Sequence, residues 1–273
     1  TATAADFGLA GTLTDIALDY NGTTGAERLD WTRAFDLDAD GTPDLLDLGA
    51  NLVTPVQLLI DFDDNLELRL KGNVTGNPAD NDIFLTAGPV SMAGTAAFAL
   101  TRRIADVDID GDGVVDEAGA RLDTMALVVT DAVVEVSGLT TMTVSGELAL
   151  ARVLLTDGTV YSAFKMGNVS LRGPPVAAED FGLTGLLTIN GLDYNGSALG
   201  DRLDWTSAFD FDGDGNADVL NPGQDLPTPA DLAIDFNAGL ELRVSGSVTG
   251  NSGNSDIFLT AGPVTLAGIA EFS

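Results

Sequence analysis

Three short acidic stretches of this chain share the pattern D-x-D-x-D-G-x-x-D. They begin at Asp36, at Asp108 and at Asp210. Carboxylates on alternate residues repel one another, so they turn toward a common point only where a cation neutralises them. The glycine at the sixth position of the pattern permits the sharp turn that brings the later residues round. The chemistry that this pattern predicts is the binding of a hard metal ion.

Calcium fits this demand best, because it takes about six to eight oxygen ligands in a flexible geometry. In the numbering of an EF-hand loop, the first three aspartates fill positions 1, 3 and 5. A backbone carbonyl serves at position 7, and the last aspartate contributes at position 9, directly or through water. The predicted calcium ligands are Asp36, Asp38, Asp40, Thr42 and Asp44; Asp108, Asp110, Asp112, Val114 and Asp116; and Asp210, Asp212, Asp214, Asn216 and Asp218.

The three loops differ at position 12, where an EF-hand carries a bidentate glutamate. Asp47 falls there in the first loop and Asn221 in the third. The middle loop has Gly119 at that place, with Glu117 nearby as a substitute ligand. An earlier register is also open for the middle loop, with the ligands Asp106, Asp108, Asp110 and Glu117.

An acidic surface turn is the alternative interpretation, since Asp and Gly are ordinary turn residues. Three occurrences of a nine-residue pattern favour metal binding over that alternative. The flanking residues lack the amphipathic helices of an EF-hand. The third loop, DFDGDGNADVL, instead resembles the calcium loops of integrin-type propeller repeats, and the first resembles thrombospondin type 3 loops. Each resemblance covers about ten residues and implies only the metal.

The composition excludes several classes of function. Forty-two acidic and 12 basic residues give a net charge of −30, which repels nucleic acid and anionic membrane surfaces, so we expect neither nucleic-acid binding nor membrane insertion. The chain has no cysteine and no histidine, which excludes disulfides, the usual zinc sites and nucleophiles activated by histidine. A cysteine-free chain with calcium loops is typical of a prokaryotic surface protein, so we expect an extracellular or cell-surface location.

The chain also repeats itself. Residues 6–99 align without gaps with residues 180–273, at a constant offset of 174 positions, and more than half of the aligned pairs are identical. We call these two stretches copy 1 and copy 2. The predicted organisation is one repeat unit at 1–174 and a partial unit at 175–273, equivalent to 1–99, within a longer array.

Alternating apolar residues predict an almost wholly β chain without sustained helices. The alternation persists from residue 84 to 100 and from 134 to 150, through internal glycines, which predicts two long strands bent at glycine. Asn21-Gly22 and Asn195-Gly196 are interpreted as turns, and Pro174-Pro175 as the boundary between units. The predicted fold is an elongated, all-β tandem repeat of long glycine-kinked strands, either antiparallel and sandwich-like or solenoid-like, carrying the calcium loops.

The sequence pattern of the strands resembles that of the repeats of giant secreted bacterial proteins, such as RTX-type and other large repetitive adhesins. The resemblance rests on segments such as residues 242–246 and 259–268, in which strands alternate with glycine. It implies a calcium-stiffened extracellular array and no catalytic residues.

Trp31 and Trp205 stand five residues before Asp36 and Asp210. We expect each tryptophan to pack the base of its calcium loop; stacking on a bound sugar is the alternative.

Paired carboxylates could serve a glycosidase, but most acids here fall in the loops or alternate along strands, so no enzyme is predicted.

Two functions remain. One is a structural repeat of an extracellular fibre, sheath or surface layer, with neighbouring repeat units as partners through self-association. The other is an adhesin stalk or ligand-binding repeat. A propeller is disfavoured, because the loops begin at 36, 108 and 210, at unequal intervals.

Overall fold

The computed structural model describes residues 9–87, 90–136, 140–173, 186–197, 200–250, 255–261 and 263–273. In these ranges the chain forms fifteen β-strands and two short 3-10 turns, at Pro78–Asp80 and Pro222–Asp225, which confirms the all-β prediction. The strands are β1 (Thr12–Tyr20), β2 (Leu46–Asp47), β3 (Leu59–Ile60), β4 (Leu66–Thr75), β5 (Ile83–Ala87), β6 (Val90–Ala93), β7 (Thr95–Val107), β8 (Glu117–Val136), β9 (Thr140–Leu154), β10 (Val160–Gly173), β11 (Leu186–Ser197), β12 (Leu242–Thr249), β13 (Ile257–Ala261), β14 (Val264–Ala267) and β15 (Ile269–Phe272).

Most of these strands belong to one antiparallel sheet. Its order is β1-β4-β7-β8-β9-β10-β11-β12-β15, and the β5-β6 hairpin joins it through β8. The pairs β2-β3 and β13-β14 form two small sheets. Within the described ranges, no helix has the length and apolar character needed to cross a membrane.

β8 is 20 residues long and pairs with two strands along one edge. β7 pairs with it from Glu117 to Val129, and β6 pairs with it from Val133 to Val136. On its other edge, the register to β9 shifts between Val129 and Ala132. Such a bulge bends a strand without ending it. Long strands interrupted by local irregularities are therefore part of this fold.

The prediction that residues 84–100 and 134–150 each form one continuous strand is wrong. Ala87 pairs with Val90, so the chain reverses between β5 and β6. Val136 pairs with Thr140, so it reverses again between β8 and β9. Hydrophobic alternation records which side chains share a face of a strand, and a tight reversal need not interrupt it.

The repeat in the sequence is also a repeat in the sheet. β11, β12 and β15 lie 174 positions after β1, β4 and β7 and pair in the same order. The β13-β14 hairpin corresponds in the same way to β5-β6. β11 pairs with β10, so copy 2 continues the sheet that copy 1 begins. The boundary predicted at Pro174-Pro175 lies outside the described residues.

A long connection follows the first strand of each copy. We call residues 21–65, between β1 and β4, insertion 1, and residues 200–241, between β11 and β12, insertion 2. Insertion 2 lies on one face of β7–β10. Its apolar side chains there are Leu203, Trp205, Ala208, Phe209, Leu220, Ile234 and Phe236, which pack on Ala105, Val107, Ala120, Leu122, Ala151, Val153, Leu155, Tyr161 and Ala163 of the sheet.

A row of alanines lets insertion 2 approach the sheet closely. Ala99, Ala126 and Ala149 are direct neighbours on β7, β8 and β9. Leu226 and Leu232 of insertion 2 pack on this row. The opposite face carries large side chains, among them Phe98, Leu100 and Leu127, which form a second core with Phe84 of β5. The sheet is thus buried on both faces at the alanine row.

Candidate metal loops

The three acidic loops fold around the same set of hydrogen bonds. In each, the carboxylate at position 1 accepts from the backbone N–H of the glycine at position 6. The N···O distances are 3.0 Å for Gly41 to Asp36, 2.7 Å for Gly113 to Asp108 and 2.9 Å for Gly215 to Asp210. These three glycines have φ of 89°, 85° and 84°, a left-handed conformation that favours glycine. The shared glycine is therefore required by the turn.

The aspartate at position 9 closes each loop. Its backbone N–H donates to the carbonyl of the residue before position 1: Asp44 to Phe35 at 2.7 Å, Asp116 to Val107 at 3.0 Å and Asp218 to Phe209 at 2.6 Å. Its carboxylate accepts from the backbone N–H at position 2, which belongs to Leu37, Ile109 or Phe211. Each loop is consequently a closed turn with its carboxylates drawn inward.

Three carboxylates converge in every loop. One oxygen from each member of a set lies within 4.8 Å of the others, and the sets are Asp36, Asp38 and Asp40; Asp108, Asp110 and Asp116; and Asp210, Asp212 and Asp218. The donor sets are all oxygen, which is the donor chemistry that hard metal ions take. These sets could therefore hold a metal ion.

Other predicted ligands lie beside these sets. Asp44, Asp112 and Asp214 are not members of them. In each loop, the backbone N–H of the residue at position 7 donates to the carboxylate of the aspartate at position 5. The pairs are Thr42 to Asp40 at 2.8 Å, Val114 to Asp112 at 2.8 Å and Asn216 to Asp214 at 2.7 Å.

The predicted ligands at or near position 12 form hydrogen bonds outside the converging carboxylates. The Asp47 carboxylate accepts from the backbone N–H of Gly49 and of Leu58, both at 2.9 Å. Asn221 has the same task in copy 2, where its amide oxygen accepts from Leu232 at 3.0 Å. Glu117 accepts from the backbone N–H of Thr156 at 3.0 Å. The structure therefore does not bring Asp47 or Glu117 to the converging carboxylates.

The middle loop has the register that begins at Asp108. Its hydrogen bonds match those of the other two loops when Asp108 is position 1. Asp106, the first ligand of the earlier register, instead accepts from the backbone N–H of Gly119 at 2.8 Å.

Hydrogen bonds favour the charged form of two loop carboxyls. The hydroxyl and the backbone N–H of Thr42 hold the pKa of Asp40 below its usual value. The backbone N–H of Gly215, with those of Gly213 and Asp214, lowers the pKa of Asp210. Both groups are thus ionised at neutral pH, as metal ligands must be.

The second and third loops face each other across a cleft. Asp106 of β7 and Asp108 and Val114 of the β7-β8 connection line one side, and Phe209 and Asp210 of insertion 2 line the other. The backbone N–H of Asp108 donates to the carbonyl of Ala208 at 3.0 Å, which joins the two sides. Two clusters of negative charge therefore meet where insertion 2 is attached to the sheet.

Two asparagines that sequence reasoning took for turn residues have a different role. Asn195 lies inside β11 and is fully buried. Its amide oxygen accepts from the indole N–H of Trp205 at 3.0 Å, and its amide nitrogen donates to the carbonyls of Leu203 at 2.9 Å and Asn237 at 3.1 Å. Asn21 makes the corresponding bonds to Trp31, Leu29 and Asp63. The signal in the sequence was the ten-residue Asn–Trp spacing, which both copies keep.

Each tryptophan packs the base of its loop, as predicted. The ring centroids are 5.9 Å apart for Trp31 and Phe35 and 6.1 Å apart for Trp205 and Phe209. Trp205 is fully buried, so its ring is not available to stack on a sugar. In the third loop, Phe211 also stacks on Phe209 and lies beneath the guanidinium of Arg103, 4.8 Å from the ring centroid.

Comparison with known proteins adds no relative: the chain matches no protein-family model, no curated protein and no solved structure. The assignment of these loops therefore depends on their geometry.

Replacing a position-3 ligand should remove one bound ion. We expect Asp212→Ala and Asp38→Ala each to lower the number of calcium ions counted by titration calorimetry by one, because each opens a three-carboxylate set. Asp64→Ala is the control, since it removes an exposed charge outside the loops. An unchanged ion count in both loop variants would show that these carboxylates are not ligands.

Removing the Asn195 side chain should loosen insertion 2. Asn195→Ala leaves one indole N–H and two carbonyls without their buried partner, at about 1–3 kcal/mol for each group left unpaired. We expect a lower urea midpoint, followed by the emission of Trp205 in a Trp31→Phe background. Asn190→Ala, at an exposed position of the same strand, should leave the midpoint unchanged. Equal midpoints for the two alanine variants would contradict this role.

Proposed function

We propose that this chain is a calcium-stabilised structural repeat of an extracellular fibre, sheath or surface layer. The observation that carries the proposal is the pairing of β10 with β11. Through it the strands of copy 2 extend the sheet of copy 1 in the same order, instead of forming a separate fold. A unit that ends by templating the first strand of the next unit can be added repeatedly without a change of geometry.

Six strands make up one step of this arrangement: β1, β4, β7, β8, β9 and β10. Neighbouring strands in a sheet are about 4.8 Å apart, so one unit advances the sheet by about 30 Å along its hydrogen-bonding direction. In this proposal, the elongated tandem repeat expected from the sequence is one continuous antiparallel sheet. Each unit adds its strands to the last strand of the unit before it.

Calcium has a structural task in the proposed array. The second loop follows β7 of the sheet and the third belongs to insertion 2, and Asp108 of the one and Asp210 of the other line the same cleft. A cation in each loop would offset part of this negative charge and so weaken the repulsion between the loops. The ions would thereby hold insertion 2 on the β7–β10 face, in addition to ordering the loops themselves. The net charge of −30 makes such neutralisation important across the whole chain.

The arrangement of the acids favours metal binding over acid–base catalysis. The converging carboxylates occur in sets of three inside closed loops, and positions 1 and 3 contribute to the set in copy 1 and to the set in copy 2. An array needs a stabilising ion in every unit, whereas the chemistry of a glycosidase needs two carboxyls facing a substrate.

Calcium should raise the thermal midpoint. With a Kd of about 10⁻⁴–10⁻³ M, typical of extracellular sites, 10 mM calcium stabilises the chain by about 1.4–2.7 kcal/mol for each ion bound only by the folded state. Differential scanning calorimetry in chelator and in 10 mM calcium measures this shift. Magnesium at equal ionic strength is the control, because it accepts a flexible oxygen loop poorly. A midpoint that is the same in chelator and in calcium would refute the stabilising role.

The size of the particle should grow by a constant step. Chains of two, three and four complete units, measured by small-angle scattering in calcium, should differ in maximum dimension by about 30 Å for each unit, as estimated from the strand spacing. A globule would instead grow with a small power of chain length. Growth of that second kind would exclude the array.

A further inference from the structure

Insertion 1 is folded in the same way as insertion 2. The backbone N–H of Trp31 donates to Phe62 at 3.1 Å, and that of Trp205 donates to Phe236 at 3.2 Å. Likewise Leu52 donates to Gly49 at 3.2 Å, and Leu226 to Gly223 at 3.3 Å. With the bonds of Asn21 and Asn195, these contacts show that insertion 1 already has the conformation that insertion 2 has on the sheet.

The two insertions differ in what covers them. Leu203, Leu226 and Leu232 of insertion 2 are 0%, 2% and 0% exposed. The residues 174 positions earlier, Leu29, Leu52 and Leu58, are 45%, 49% and 52% exposed. The side chains are identical and the local fold is the same. The difference arises because insertion 2 lies on the β7–β10 face, while none of the described strands lies in that place against insertion 1.

The first strands of the two copies show the same difference. β11 pairs with β12 on one edge and with β10 on the other. β1 pairs with β4, and among the described strands it has no partner on its second edge. The vacant edge of β1 and the exposed leucines of insertion 1 therefore correspond to the two surfaces through which copy 2 contacts β7–β10.

Charged groups give the surface a matching polar contact. Lys165 of β10 forms an ion pair with Asp235 of insertion 2, with Nζ and Oδ1 2.6 Å apart. Asp61 is the residue of insertion 1 that corresponds to Asp235; it lies 4.0 Å from Arg69 and its side chain is 51% exposed, close to the 55% of Asp235. Both copies thus carry an aspartate at the position where Asp235 meets the lysine of β10.

We infer that insertion 1 and the free edge of β1 form a docking surface for another copy of the repeat unit, whose β7–β10 strands insertion 1 covers. The occupant is specified by the chain itself, because the β7–β10 face with its alanine row is what the equivalent surface of copy 2 buries. The inference deepens the proposed function by naming the partner of one surface. It predicts that insertion 1 becomes buried in a longer chain. This burial is measured independently of bound calcium and of particle length.

The test uses the full chain extended at its N terminus by a second copy of residues 1–174, so that a β10 strand precedes β1 at the natural spacing. The two tryptophans of the chain report separately on the two insertions. In both the parent and the extended chain, Trp205→Phe leaves Trp31 as a probe, with the tryptophan of the added copy also replaced by Phe. The parent with Trp31→Phe, in which only the buried Trp205 remains, supplies the reference for a covered insertion.

We expect the emission of Trp31 to move to shorter wavelength in the extended chain, and its acrylamide quenching to fall to the value of Trp205 in the reference. Leu58→Asp in the extended chain should return Trp31 to its quenching in the parent, since a carboxylate cannot be buried on the alanine row. Val53→Asp is the matched control: Val53 is fully exposed, and its counterpart Pro227 is exposed in copy 2 as well, so it lies outside the contact.

Two results would overturn the inference. One is that Trp31 keeps its parent quenching in an extended chain whose circular dichroism shows that the added copy is folded. The other is that Leu58→Asp leaves Trp31 protected. In the parent, Leu58→Asp should leave the thermal midpoint unchanged, because Leu58 is exposed there, which shows that the variant folds. A calcium-dependent midpoint together with an uncovered Trp31 would refute the docking surface while leaving the calcium-stabilised repeat intact.

Discussion

The contact between insertion 2 and the β7–β10 face is the interaction on which the rest of the structure depends. A sheet of long strands has two faces, and each must be covered if its apolar side chains are to leave water. One face here is filled by Phe84 and the large residues around it, while the other is kept flat by alanines. Leu226 and Leu232 fit this flat surface, and Trp205 with Phe209 extends the contact toward the acidic loops.

This contact is made between the two repeat units predicted from the sequence. The covered strands lie in residues 1–174 and the covering insertion lies in residues 175–273. Cohesion between units is therefore of the same kind as cohesion within a unit: a shared hydrogen-bonded sheet and a buried apolar layer. Polar pairs at the edge of the layer set its register, among them Thr101 with Asp225 at 2.6 Å and Arg69 with Asp225 at 3.7 Å.

Electrostatics limits where such a contact can form. The chain carries a large negative charge, and two acidic loops meet beside the apolar layer. Backbone N–H groups offset part of the loop charge, as the lowered pKa of Asp210 shows. Cations bound by the loops would offset more of it. The hydrophobic layer supplies the affinity between sheet and insertion, and the proposed bound calcium would reduce the repulsion at its acidic border.

The sequence by itself determined the β character, the repeat and the acidic loops, because alternation, self-similarity and the D-x-D-x-D-G spacing are local patterns. It could not locate the reversals at Ala87–Val90 and Val136–Thr140, since alternation runs through a tight turn. It also missed the buried Asn195, because an Asn-Gly pair predicts a turn whether or not the pair lies inside a strand. Only the tertiary structure decided that Asp47 bonds away from its loop and that identical leucines are buried in one copy and exposed in the other. Burial depends on which surface lies opposite a side chain, and that surface comes from strands distant in the sequence.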